Sequence, residues 1–366
     1  MLTKRQFLRA YCEFSGVSSF TSGEWSSFIR VLRERSLVAS YHHRLRYNEL
    51  LNVIPSCCSD TFLSAVNFAS AQAIQTKIQG QKLTRLFNQH DLPFIFLKGA
   101  AYILGEERNS HGRLMTDIDI CVERKYIKEA ERILIDNGWS FKEMDEHDDK
   151  YYRDWSHEIP PLQHRQDGVV LDVHHTLIPP IKGRIINIES LVNSRAIGAD
   201  NLPVPSIDWL VLHSALHLII NEDTENGLRD LTDIYILLAH AESQTTEKAY
   251  KLFVQEGFEK EWRVIVSLLS YFFNFTVSSS LTQSKISIST TARCFILKRA
   301  LLPTSPYLPI RGLRLWKSIN YVIGYLSKMP LNIAVNQACY KSYRQLVKLV
   351  FGDFYFRKSQ KQKSKL

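Results

Sequence analysis

Two short apolar runs, FIFL (94–97) and DIDICV (117–122), are joined by KGAAYIL and the polar stretch EERNSHGR. This succession of strand, turn, short helix, loop and strand constrains the fold more than any other part of the chain, because it demands a sheet with helices packed on it. The second run carries Asp117 and Asp119. On a strand, residues i and i+2 point to the same face, so the two carboxylates project together while Ile118, Ile120 and Val122 fill the other side. Adjacent carboxylates repel, and a divalent cation would relieve the repulsion. A third carboxylate on a neighbouring strand would complete an oxygen-rich site suited to Mg2+. The stretch GVVLDVHHTL offers one: Val169, Leu171 and Val173 alternate with Val170, Asp172 and His174, so Asp172 and His174 share the less apolar face and His175 points the other way. Two such ions roughly 3.5–4 Å apart activate an attacking oxygen and stabilise a leaving phosphate, which is phosphoryl or nucleotidyl chemistry. A D-x-D pair also occurs as plain solvent-facing charge on edge strands, and alone it does not decide between the two.

The flanks read as helical. Residues 1–90 form an N-terminal helical region, with apolar residues at helical spacing over 27–39 and 62–87. Residues 91–190 form the α/β core, in which 126–137 is a helix capped by Gly138. Residues 191–285 are helical again, starting at Ser206 with Asp208, and place His213 and His217 four apart on one face. Residues 286–366 form a basic, aromatic-rich helical region and tail. With 366 residues, 45% of them hydrophobic, the chain buries a substantial core in two or three lobes. Six scattered cysteines without a C-x-x-C pair, and a start lacking a secretory apolar core, point to a reducing, cytoplasmic setting. The 21 uncharged residues 264–284 are diluted by serine and threonine, so a buried helix followed by a polar loop is expected there rather than a membrane span.

The net charge of +9 is unevenly distributed. Residues 291–366 hold 15 lysines and arginines against a single acid, Asp353, which leaves the preceding 290 residues at −5. A helix over 340–356 would place Leu346, Leu349, Val350 and Phe354 on one face and Lys341, Arg344 and Lys348 on the other. Such a segment suits weak contact with an anionic membrane surface or RNA, or simply a solvated tail, and makes the protein membrane-peripheral in the first case.

The order strand, Lys-Gly, short helix, loop, Arg-x-x-Thr-Asp-x-Asp, helix, and a strand with a third aspartate resembles the DNA polymerase β-like nucleotidyltransferase superfamily. Within it the chain is most similar to the family of uncharacterised nucleotidyltransferases, on the stretches FIFLKGAAYILGE, HGRLMTDIDICV, SHEIPPLQ, GVVLDVHHTL, HSALHLIIN and GLRDLTDIYILL, over residues 60–240. The resemblance implies an α+β fold, a small mixed sheet with helices, flanked by helical regions. It implies metal-ligand and catalytic roles for Asp117, Asp119 and Asp172, with Mg2+ or Mn2+ as the ion. It also implies nucleotide-side roles for Lys98, Gly99, Arg113 and Thr116, and places a histidine at His174. The chain has Lys-Gly where the superfamily usually has Gly-Ser, and Leu114-Met115-Thr116 where the family commonly has proline and serine.

The expected reaction is transfer of a nucleoside monophosphate from a nucleoside triphosphate to an acceptor, which could be a small hydroxyl metabolite, a peptide or protein side chain, or RNA. The alternative is a catalytically inactive module of the same fold that binds RNA or an anionic surface. His157, His213 and His217 fit packing between lobes as well as a substrate role, and without cysteines or a fourth ligand no zinc is assigned to them. Arg229 and Asp230 fit either a structural ion pair or an arginine set over the triphosphate.

Overall fold

The computed structural model describes residues 1–144, 146–179, 184–197, 201–282 and 287–328, together with Val335, Tyr340 and Val347. The helix expected over 340–356 and the basic tail lie outside the described residues, apart from Tyr340 and Val347.

The N-terminal region folds as α1 (Lys4–Glu13), α2 (Ser22–Glu34), α3 (Val38–Tyr47) and the 33-residue α4 (Ser56–Asn88). Capping boxes start the first two: the Thr3 and Thr21 hydroxyls accept from the Gln6 and Glu24 amides, whose side chains reach back to the cap amides. The helical pattern over 27–39 is broken into two helices at Ser36, whose backbone is left-handed at φ 55°. Apolar periodicity continues across that turn because both helices face one core.

The core follows as β1 (Phe94–Leu97), α5 (Lys98–Leu104), β2 (Ile118–Val122), α6 (Ile127–Asp136), β3 (Trp139–Phe141), α7 (Glu146–Trp155), β4 (Leu162–His164) and β5 (Val170–His174). The five strands form one mixed sheet in the order β1-β2-β5-β4-β3. Only β2 and β5 pair in parallel, and their register sets Asp119 directly against Asp172. All residues of β1 and β2 are buried, so the sheet centre is covered on both faces, and Asp119 goes into the interior with its strand.

After α8 (Ile188–Asn193) and a small hairpin, β6 (Ala196–Ile197) with β7 (Pro203–Val204), the chain is helical: α9 (Ile207–Ile220), α10 (Gly227–Ala239), α11 (Ser243–Gln255), α12 (Glu259–Phe273), α13 (Ile288–Ala300) and α14 (Leu313–Lys328). The apolar part of 264–284 is the end of buried α12, and among the described residues no helix is long and apolar enough to cross a membrane. One contiguous hydrophobic core runs from Leu2 to Leu313, so the α/β core and its helical flanks pack as one body. Helix α9 is apolar almost all round and occupies the middle of this packing, against α5, α10, α11 and α12.

Candidate active site

The loop between α5 and β2 carries Arg113 to Asp117, and two devices fix it. The Gln72 side chain on α4 clamps Met115 from both sides, its Nε2 donating to the Met115 carbonyl at 2.7 Å and its Oε1 accepting from the Met115 amide at 2.8 Å. Gly112, left-handed at φ 76°, lies against the backbone of α3, where a Cβ would come within 2.4 Å of the Ala39 carbonyl carbon. Glycine is required there by both conformation and space. At Gly99 an added Cβ would fall 2.3 Å from Met115 Sδ, so the glycine of the Lys-Gly pair makes room for the loop itself.

Lys98, the first residue of α5 directly after β1, is left-handed (φ 46°), and its Nζ lies 2.7 Å from Asp119 Oδ1. His174 Nε2, two residues beyond Asp172 on β5, donates to the same Oδ1 at 2.9 Å. Burial alone would raise the Asp119 carboxyl, but Lys98 and His174 hold it well below the usual carboxylate range. Burial alone would likewise lower the Lys98 ammonium, but Asp119, Glu158 and Asp117 hold it above its ordinary value. The pair is charged.

Lys98, Gly99, Arg113, Thr116, Asp117 and Asp119 line one cavity of about 230 Å3, whose far wall is His217 on α9 and Arg229, Asp230 and Asp233 on α10. Arg113 is anchored across the cavity: its Nε donates to Asp233 Oδ2 at 2.7 Å, and an Nη lies 3.7 Å from Asp230. Arg229 pairs with Asp230 at 3.1 Å and lines the same cavity, so both readings of that pair meet at one place. Asp172 and His174 do not line this cavity. They stand behind Asp119 on the adjoining strand. Of the sequence-derived set, then, six residues share the cavity, while the third acid and the histidine reach it through Asp119.

Sequence reasoning gave no role to Gln72, Asp233 or Glu158. Glu158 Oε2 lies 3.4 Å from His174 Nε2 and extends the acidic cluster. Its stretch, SHEIPPLQ, carried the family resemblance, and that was the available signal. His213 is buried in α9 with its ring 6.3 Å from that of His174, and burial keeps its imidazole neutral by depressing its pKa well below the ordinary value.

The residues fit a dication. Asp172 Oδ1 is buried without a hydrogen-bond partner, and burial together with the Glu158, Asp119 and Asp117 carboxylates pushes the Asp172 carboxyl up to about 8. Burial and Asp119 raise Asp117 as well. An all-oxygen donor set short of positive charge is what Mg2+ or Mn2+ would complete.

A small mixed sheet with a D-x-D strand paired in parallel to an acid-bearing strand, next to a cavity walled by lysine and arginine, defines a nucleotidyltransferase-type core. The chain belongs to the uncharacterised nucleotidyltransferase family, whose model matches residues 21–273. Among solved structures, a candidate nucleotidyltransferase from H. pylori is similar at 14% identity, over 61% of this chain and 95% of that one, with a TM-score of 0.28. JHP933 from Helicobacter pylori is similar at 15% identity, over 62% of this chain and 93% of that one, with a TM-score of 0.27. No curated protein matches the chain.

Proposed function

We propose that the protein is a Mg2+-dependent nucleotidyltransferase that moves a nucleoside monophosphate from a nucleoside triphosphate to an acceptor and releases pyrophosphate. The observation that carries this reading is the register of Asp119 against Asp172 beside a cavity lined by Asp117, Lys98, Arg113 and Arg229. Asp117, Asp119 and Asp172 would hold Mg2+, or Mn2+ in its place, and the bound ion supplies Lewis-acid stabilisation of charge developing on the transferred phosphate. Lys98 and Arg229 provide fixed positive charge for the triphosphate in a partly dehydrated cavity, where such charge acts strongly. Arg113, tied to Asp233, holds the cavity wall in place more than it offers a free cation. Gly99 presents the backbone at the start of α5, and Thr116 a hydroxyl, to the phosphates. Asp172, set against Asp119 across the parallel strand pair, would help activate an attacking hydroxyl through the ion it holds. His174 orients Asp119 through its Nε2 proton.

The acceptor is a hydroxyl-bearing group, in a small metabolite, a protein side chain or RNA. The basic segment 340–366 is proposed to add weak, salt-sensitive contact with an anionic surface. The test is incubation of the protein with each nucleoside triphosphate, labelled at the α-phosphate, in cell extract. Label is expected on one acceptor class with the wild type, and Asp119→Asn should abolish it. Transfer of γ-label instead would indicate kinase chemistry and overturn the reading.

A further inference from the structure

Residues 157–159 run antiparallel to the end of β5. The His175 amide donates to the His157 carbonyl at 2.9 Å, the Ile159 amide to the Val173 carbonyl at 3.0 Å, and Glu158 bridges directly to His174. This pairing fixes three donors from backbone outward: one ligand atom each of His157, Glu158 and His174, all within 4.8 Å of one another. Glu158 Oε2 is 3.4 Å from His174 Nε2 and 3.9 Å from His157 Nε2. Around a four-coordinate ion with bonds of about 2.0–2.1 Å, ligand atoms stand roughly 3.3 Å apart, so the first distance fits and the second needs a small closure of His157.

A further observation points to a ligand. His157 and Glu158 open on a cavity of about 310 Å3 lined also by Tyr151, Tyr152 and Lys328, and it shares no lining residue with the cavity of Asp117 and Asp119. A cation can therefore arrive from this side and keep water as its remaining ligands.

We propose that His157, Glu158 and His174 form a second cation site, selective for a first-row transition dication of the Zn2+ or Co2+ type over Mg2+. Two imidazoles and one carboxylate suit such an ion, whereas Mg2+ prefers all-oxygen sites. A cation on His174 Nε2 takes the place of the proton which that nitrogen shares with Asp119 Oδ1. The site rests on its own geometry and requires no nucleotidyl transfer.

The experiment is a Co2+ titration of the full chain, stripped with chelator, in excess Mg2+, followed by visible absorption and displacement with Zn2+. One equivalent of Co2+ with an absorption band, displaced by Zn2+, is expected. His157→Ala and the nearly isosteric Glu158→Gln should each weaken binding by on the order of 100-fold, with circular dichroism verifying that both fold, while Asp136→Asn, at an exposed acid on α6, should bind as the wild type does. No Co2+ binding by the wild type, unchanged binding by either triad variant, or loss of binding in Asp136→Asn would overturn the site.

Discussion

Lys98→Met separates the two things that Lys98 does. The residue is held left-handed at φ 46°, which costs a non-glycine residue about 1–2 kcal/mol. Its ammonium sits 2.7 Å from Asp119, the two side chains being 23% and 5% exposed, and that pair offsets the strain. Methionine keeps the bulk of the stem and the backbone strain but deletes the charge. Removing one partner of a buried pair costs on the order of 3–5 kcal/mol. Because the lysine is partly solvated and His174 still serves Asp119, we expect about 2–3 kcal/mol, a fall in Tm of about 3 °C for a chain of this size. Lys98→Gly loses the same charge but relieves the backbone, and should recover about 1 kcal/mol relative to methionine. With the ammonium gone, Asp117, Asp119 and Asp172 attract a dication more strongly, so Mg2+ should raise the Tm of Lys98→Met by more than it raises that of the wild type. Scanning fluorimetry across a Mg2+ series reads both effects. Unchanged stability without Mg2+, or equal Mg2+ responses, would refute the idea that Lys98 acts as the cluster's own counterion.

Gly112→Ala combines a left-handed backbone with a clash against the α3 main chain, so urea denaturation should show a loss of about 3 kcal/mol, accompanied by weaker triphosphate binding as the loop shifts; an unchanged midpoint would contradict the packing argument. Asp119→Asn should keep the wild-type circular dichroism spectrum and lower transfer by orders of magnitude, and near-normal turnover would remove Asp119 from the metal site. Burial, followed by the neighbouring His111, depresses His43 to about 4, and burial, followed by Lys98, depresses His217 to about 4 from an ordinary 6.5. The unfolded chain takes up these protons first on acidification, so stability present above pH 6.5 is lost as pH falls towards 4. A Tm that stays flat from pH 6.5 to pH 4 would contradict this assignment.

The α/β core was legible because its signals are local. Alternation in DIDICV and GVVLDVH fixes which side chains share a face, and the strand register then brings Asp119 to Asp172. What escaped was the long-range part. Nothing near Arg113 announces Asp233, 120 residues further on, and nothing near Met115 announces the Gln72 amide that clamps it. Glu158 stood inside a recognised stretch, but only its pairing across β5 makes it a neighbour of His174. The break at Ser36 was invisible because periodicity reports a buried face, not the continuity of a helix. Part of the C-terminal positive charge is also used internally, since Lys317 pairs with Glu225 and Lys328 with Glu222.

The tie between Arg113 and Asp233 bears on how the protein is made. A nascent chain that has emerged from the ribosome only as far as β5 already owns every strand of the main sheet and all three aspartates, but α9 and α10 are still in the exit tunnel or unsynthesised. Its Arg113 guanidinium then lacks both of its acidic partners, and the cavity has no far wall. The site is therefore completed only when residue 233 has emerged, and a product truncated before α10 would carry the aspartates without a pocket to use them in.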